Sequence, residues 1–541
     1  MRTRLFAALS LLMVLSMLLT ACTVPPAAAP VQPTAVPAEP TAAPAEPTAA
    51  PAQPAAGPQG TLRVALTTQP SSLDIANAPE RNAINAGWQL YDSLVWVNED
   101  KKIVPALAES WEISDDGTQY TFHLRHGVTF HNGEPFNAKS VVFSWERGKQ
   151  PENTWSGKWA GAKSVEAVDE YTVKITTDGP KPLLMKDIYQ YWAIIPPDYY
   201  AKVGAEGFAA HPVGTGPFQF VEWVKGDRIV MDANPNYWGE GLPKVKQIIF
   251  RPILESSTRA AAIQTGELDI VTRLNSDEAK GLMDKPNFKV INYPVDRVFY
   301  VAFNNLTTGL DQPTMDKRVR QAMNYAVDRK TIVDTIFGGY ARLSTGLVTP
   351  ANLGYDENFQ PFPYDPEKAK QLLADAGYKD GFSMDFACPA GAYSHFEEVC
   401  QAIQGYLAAV GIKTELKVQE SGYYWDLESK KQLPPLFGDG SSETVGETLP
   451  RAMTLLGGNS AAYSAWSDPT IDELLKEISV TIDDTKRAAL YGKLQVYMQE
   501  NPPFIYLYEL MTFEAVSNKV QDYKPRSGED YFLKDVSITS Q

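Results

Sequence analysis

Histidines, a short glycine run and an aromatic cluster are the residues of this chain whose types and spacing invite a chemical reading. His123, His126 and His131 lie close together, and neighbouring imidazoles are the raw material of a metal site. Side chains alternate along an extended chain, so His123 and His126, three apart, point to opposite faces. Gly127 then turns the chain before His131. The spacing therefore predicts no metal centre, and nothing else in the chain calls for a cofactor. Gly214-Thr-Gly216 is short for a phosphate cradle, and Pro217 removes an amide donor that a cradle needs. A turn is the expectation there. Neither Gly-x-Ser-x-Gly nor His-Glu-x-x-His occurs, so no motif proposes an enzyme. What remains is the chemistry of non-covalent capture. Tyr423-Tyr424-Trp425 supplies rings that could stack on a ligand, or simply fill a core.

The first 58 residues say where such capture would take place. Arg2 and Arg4 precede an apolar run from Leu5 to Leu19 that closes on Thr20-Ala21-Cys22. A basic start, an apolar stretch and small residues at a cut site make an export signal, taken as residues 1–21. The run is too short for a stable membrane span. Cys22 at the cut resembles a bacterial lipobox, in which the thiol is acylated and becomes the mature N-terminus. From residue 22 to 58 the chain is almost only Pro, Ala, Thr and Glu, with Pro37–Ala43 repeated at Pro44–Ala50. Such a segment has no side chains for a core and stays extended, a tether of about 100 Å at full stretch. The expected location is the outer face of the cell membrane, or the periplasm in a cell with two membranes, with contact to lipid through the anchor alone.

Composition agrees with a ligand-binding body outside the cell. Acidic residues outnumber basic ones 65 to 49, and losing Arg2 and Arg4 with the signal takes the formal charge from −16 to about −18. That balance argues against nucleic acid as a partner and against a surface that hugs anionic lipid. An exported chain permits a disulfide between Cys388 and Cys400, although two cysteines are no framework for so large a body. Thr61–Leu66 reads as a first strand, and Tyr120–Arg125 alternates as a half-buried strand should. Asp116-Gly117, His126-Gly127 and Asn132-Gly133 are turns around it, and Asn137 is an N-cap for a helix carrying Val141, Val142 and Trp145. Further on, Val319, Ala322, Met323, Ala326 and Val327 share one helical face, stopped by Gly338-Gly339. Asp365-Pro366 and Asp468-Pro469 each pair a cap with an N1 proline, and Lys413–Val418 is a strand between helices. The chain is mixed α/β with more than one domain.

Four stretches in order resemble the extracellular solute-binding lipoproteins that serve peptide and nickel ABC importers, the three-domain family 5 type. They are Leu107–Ser144, Val213–Phe218 with Asn234–Trp238, Val319–Arg329, and Tyr364–Gly377. The resemblance runs from about residue 60 to the end. It implies a two-lobed, periplasmic-binding-protein-like (Venus-flytrap) α/β fold with an extra domain on the first lobe. Lobe I would comprise 59–100, 212–300 and 501–541, the extra domain 101–211, and lobe II 301–500. The function implied is a solute receptor, a monomer that closes over its ligand and hands it to the permease of an ABC transporter.

The resemblance also implies where the ligand lies. The segment after Ser72-Leu-Asp74 would line the cleft with Arg81 and Asn82, facing Tyr300 and Asn304. Peptide binders of this type carry an aspartate for the ligand's ammonium group. Asp439 is its best candidate and Glu443 the second, although the neighbouring tryptophan is absent. Tyr423 and Trp425 are further candidate walls. Dipeptide binders carry an arginine for the ligand's carboxylate, where this chain has Ala392 between Gly391 and Tyr393. That departure favours an oligopeptide as ligand. An oligosaccharide is the second expectation, nickel a weaker third, and a surface enzyme or adhesin on the same scaffold the rival of another class.

Overall fold

The computed structural model describes residues 57–78, 80–99, 101–443 and 446–539. The export signal, Cys22 and the tether up to residue 56 lie outside the described residues. Two long strands organise everything else. Phe288–Phe303 and Phe504–Ser517 run antiparallel through the middle of one eleven-stranded sheet. On one side of them stand Leu436–Ser442, Phe382–Ala390 and Ile412–Glu420, and on the other Ile270–Leu274, Thr61–Leu66, Gln247–Pro252, Arg228–Ala233 and Phe218–Val224. Thr61–Leu66 is parallel to Gln247–Pro252, and Phe382–Ala390 is parallel to Ile412–Glu420. Parallel neighbours need covering helices.

The two long strands cross from one lobe to the other. Their second-lobe ends, Val298–Phe303 and Phe504–Tyr508, enter a single large core that reaches from Val298 to Tyr508. At the other end Phe513 and Ala515 join Ala260, Val271 and Phe288 in a small first-lobe core, and Val516 joins Leu62, Val64 and Ile248 in another. The boundary at residue 300 falls inside one crossover strand, and residue 501 lies just ahead of the other. Beside the first lobe, a four-stranded antiparallel sheet, in the order Ala108–Ile113, Gln119–Leu124, Thr172–Thr176, Ser164–Ala167, builds a core of its own with Val141 and Trp145.

Local rules explain most element ends. Asn137 caps helix Ala138–Gly148 by accepting the Lys139 amide, and Asp365 and Asp468 cap helices that begin at Pro366 and Pro469. The helix carrying Val319, Ala322, Met323 and Ala326 ends at Ala326, before the glycine pair expected to stop it. Val327 is extended there, and Asp328 caps a second helix, Arg329–Ile336, through the Thr331 amide. Gly338 and Gly339, both with positive φ, follow that second helix. Cys388 and Cys400 form a disulfide.

Candidate ligand-binding cleft

The crossover strands lose register where they leave the first lobe, between Pro294 and Val298 and again before Tyr300. Pro294 has no amide to donate, so the ladder breaks there. The break turns Val295, Asp296 and Arg297 into a cavity of about 660 Å³ between the lobes. Asp296 is buried and committed to structure. Arg451 forms an ion pair with it, while Thr349 Oγ1 and Asn352 Nδ2 donate to it at 2.8 and 2.7 Å. Arg297 is different. It is half-buried, its guanidinium lies 5.4 Å from the Tyr393 ring centre, and it forms no ion pair with any described residue. Arg297 pairs in register with Ser442, which places Glu443 at the strand end beside it, its amide donating to the Asp296 carbonyl at 2.9 Å.

A loop of lobe II completes this wall. Ala392 to His395 connects strand Phe382–Ala390 to helix Phe396–Ala409, and the Cys388–Cys400 disulfide ties the two elements behind it. The Tyr393 hydroxyl donates to Asp439 at 2.7 Å, and the Gly440 amide donates to the same oxygen at 2.7 Å. Burial pushes the Asp439 carboxyl up despite these donors. Its neighbour Glu428 is also buried, and neither Glu428 oxygen meets a donor in its charged form. Burial first, then the charge of Asp439, drives Glu428 well above the usual carboxylate range. Both shifts favour a proton kept on the pair, with Glu428 the more readily protonated of the two.

The first-lobe wall carries charges that are already matched. Arg81, at the start of helix Arg81–Gly87, meets Asp530 at 2.6 Å, and Arg273 grips both oxygens of Glu529 at 2.6 Å. Trp155, Tyr340 and Phe513 add apolar surface. A cleft with such walls suits a small ligand that combines apolar surface with charged groups.

Comparison with known proteins places this geometry. Residues 102–460 match the model of the bacterial extracellular solute-binding proteins, family 5. The chain belongs to that family. The glutathione-binding protein GsiB of Salmonella choleraesuis is 32% identical over 458 residues, which cover 82% of this chain and 87% of the relative. HbpA2 of Haemophilus parasuis superposes with a TM-score of 0.82 at 28% identity, over 89% of this chain and all (100%) of that one. DppA of Helicobacter pylori, an ABC transporter-associated periplasmic binding protein solved with the peptide STSA, gives 0.70 at 29% identity, covering 89% and 98%. The fold is thus the two-lobed, periplasmic-binding-protein one.

Within this family 5 fold the expected site residues are scattered. Arg81 and Glu443 line the cavity. Asn82 does not, because its amide is spent on Thr67 and Thr68 at 2.9 and 2.7 Å, pinning the turn after the first strand. Asp439 lies one layer behind the wall, under Tyr393. Tyr300 is 2% exposed and packs on Phe504, inside the lobe II core. Asn304 braces a loop, accepting from the Leu306 and Thr307 amides at 3.0 Å. Tyr423 points to solvent, 56% exposed, and Trp425 packs against the lobe II core. His131 is taken up by the Gly214-Thr-Gly216 turn, with its ring nitrogens on the Gly216 carbonyl and the Gly214 amide. Arg297, Arg273 and Tyr393 were not anticipated as wall residues. A signal for Arg297 did exist: Asp296-Arg297 is a charged pair two residues after Pro294, directly ahead of the apolar run Val298–Phe303.

Proposed function

We propose that this family 5 protein is the receptor of an ABC importer and captures a short peptide by closing its lobes. The observation that carries the reading is Arg297, a half-buried guanidinium on the hinge with no ion pair among the described residues. A cation so placed suits a ligand carboxylate, the task for which Ala392 has no side chain. Glu443, on the adjoining strand, is the group we assign to the ligand's ammonium, and Asp439 supports it from behind Tyr393. The cavity, about 660 Å³, falls within the ~300–1,000 Å³ of small-ligand sites, so a few residues fit better than a long peptide. The names of GsiB and DppA point the same way.

The binding needs no covalent chemistry, only contacts in the closed state that outweigh the cost of closing. We assign no catalysis to the chain. The segmentation into lobe I (59–100, 212–300, 501–541), extra domain (101–211) and lobe II (301–500) belongs to the same reading, supported by the grouping of the cores. So does attachment through Cys22, which predicts incorporation of labelled palmitate that disappears in Cys22→Ala.

Calorimetric titration with di- to pentapeptides, neutral oligosaccharides and Ni²⁺ tests the function. One-to-one binding of peptides without turnover, weakened ten-fold or more in Arg297→Gln, is expected. Binding of sugars or Ni²⁺ alone overturns the peptide reading and keeps the receptor. Consumption of the ligand overturns the receptor.

A further inference from the structure

The main cleft shares Asp296, Glu443, Ser527 and Gly528 with an adjoining compartment of about 240 Å³. Four cations line it from two directions: Lys101 and Lys186 from the extra domain, and Arg526 and the already paired Lys524 from the C-terminal segment. The acids around them are largely engaged elsewhere. Glu99 is held by Lys524 at 2.8 Å, Asp530 by Arg81 at 2.6 Å, and Asp296 by Arg451, Thr349 and Asn352. Glu443 stands at the neck, lining both compartments, and its charge reaches Lys186.

The other three cations have poor partners. Lys186 is buried, and the Glu447 carboxylate lies 3.8 Å away. That carboxylate already accepts from Arg487 at 2.7 Å and Tyr491 at 2.8 Å. Among the described residues the Lys101 ammonium donates only to the carbonyl of Pro350, across the lobes. Arg526 reaches the Val97 and Asn98 carbonyls at 3.3–3.5 Å and covers the Phe532 ring at 4.1 Å. Neither Lys101 nor Arg526 has an ion pair among the described residues. Burial pulls the Lys101 pKa down against the opposing charge of Asp296, and the neighbouring charges of Lys186 and Arg526 add to the fall. Like charges gathered in a part-buried recess repel one another, and an arriving anion relieves that repulsion.

We propose that this compartment is an anion subsite that takes an acidic side chain of the captured peptide, so that the receptor selects peptides bearing a carboxylate beyond the terminal one. The proposal rests on the peptide reading above. An acidic side chain seated there also bridges the extra domain to the lobe II wall at Ala351 and Gly446, which couples recognition to closure.

Titration of the full protein with Glu-Ala-Ala, Ala-Glu-Ala and Ala-Ala-Glu, each against its Gln counterpart, tests it at low salt. At least one Glu peptide is expected to bind ten-fold or more tightly than its Gln partner. The ratio should fall to near one in the double variant Lys101→Gln, Arg526→Gln, and survive in the charge-keeping Lys101→Arg, Arg526→Lys. Equal binding of Glu and Gln peptides to the unaltered protein overturns the subsite and leaves the peptide receptor standing. A ratio that persists in the Gln double variant also overturns the subsite. If none of the peptides binds, the peptide reading falls and the subsite falls with it.

Discussion

The two walls of the cleft carry similar residues in opposite states. On the first-lobe wall, Arg81 and Arg273 are closed off by Asp530 and Glu529. At the hinge and on the lobe II wall, neither Arg297 nor Asp439 behind Tyr393 has an ion pair among the described residues, and Asp439 lies beside Glu428, whose pKa is raised. A matched pair gains little from a ligand, because binding must first break it. An unmatched group has everything to gain. On the function proposed above, the difference separates the charges that build the cleft from those that read its contents.

The contrast is broken most severely at the hinge. Arg451→Gln leaves Asp296 buried without its cation, and a loss of about 3–5 kcal/mol is expected in urea unfolding. Ligand binding should vanish with it. Next comes the disulfide. Opening it in the double variant Cys388→Ser, Cys400→Ser is expected to cost about 3 kcal/mol, as for other short closed loops, and to weaken binding, since the loop it ties forms the lobe II wall. An unchanged melting temperature would refute that role.

The contrast is sharpened by comparing two arginines. Arg297→Gln should weaken peptide binding by about 1.5–3 kcal/mol, the range for a lost charge-assisted contact, with little change in unfolding. Arg273→Gln should change affinity less than three-fold, because its charge already belongs to Glu529. Equal losses in the two variants would erase the distinction between the walls.

The smallest effect has an unusual sign. The folded protein holds a proton at Glu428 more tightly than the unfolded chain does, because its pKa is raised. The stability tied to that proton is full below the ordinary pKa of 4.5 and is lost as pH rises through the raised value. Glu428→Gln keeps the neutral form at every pH. It should therefore match the unaltered protein near pH 4.5 and exceed it at alkaline pH by on the order of 1–2 kcal/mol. A destabilised variant at alkaline pH would show that Glu428 is ionised and satisfied.

The fold was legible wherever a residue acts on its own neighbourhood. Asn137, Asp365 and Asp468 announce helix starts by a rule that spans three residues, and the Val319 face is buried as its spacing demands. Thr61–Leu66 begins and ends as its alternation suggests. The cleft was much less legible. Tyr300 and Asn304 follow the register break by only a few residues, yet they fall inside a core and at a loop brace. What faces the ligand is decided by the irregular pairing of two strands more than two hundred residues apart, a property of neither strand alone. Asp439 and Tyr393 show the same limit. The acid was visible, but the ring that covers it arrives from a different strand–helix connection.

The bond between Cys388 and Cys400 has a bearing on timing. It fastens the loop that carries Ala392 and Tyr393, and a thiol pair closes only in an oxidising compartment. A newly made copy still in a reducing cytoplasm thus carries an unfinished recognition surface. The lobe II wall is tied down only once the chain has left that compartment.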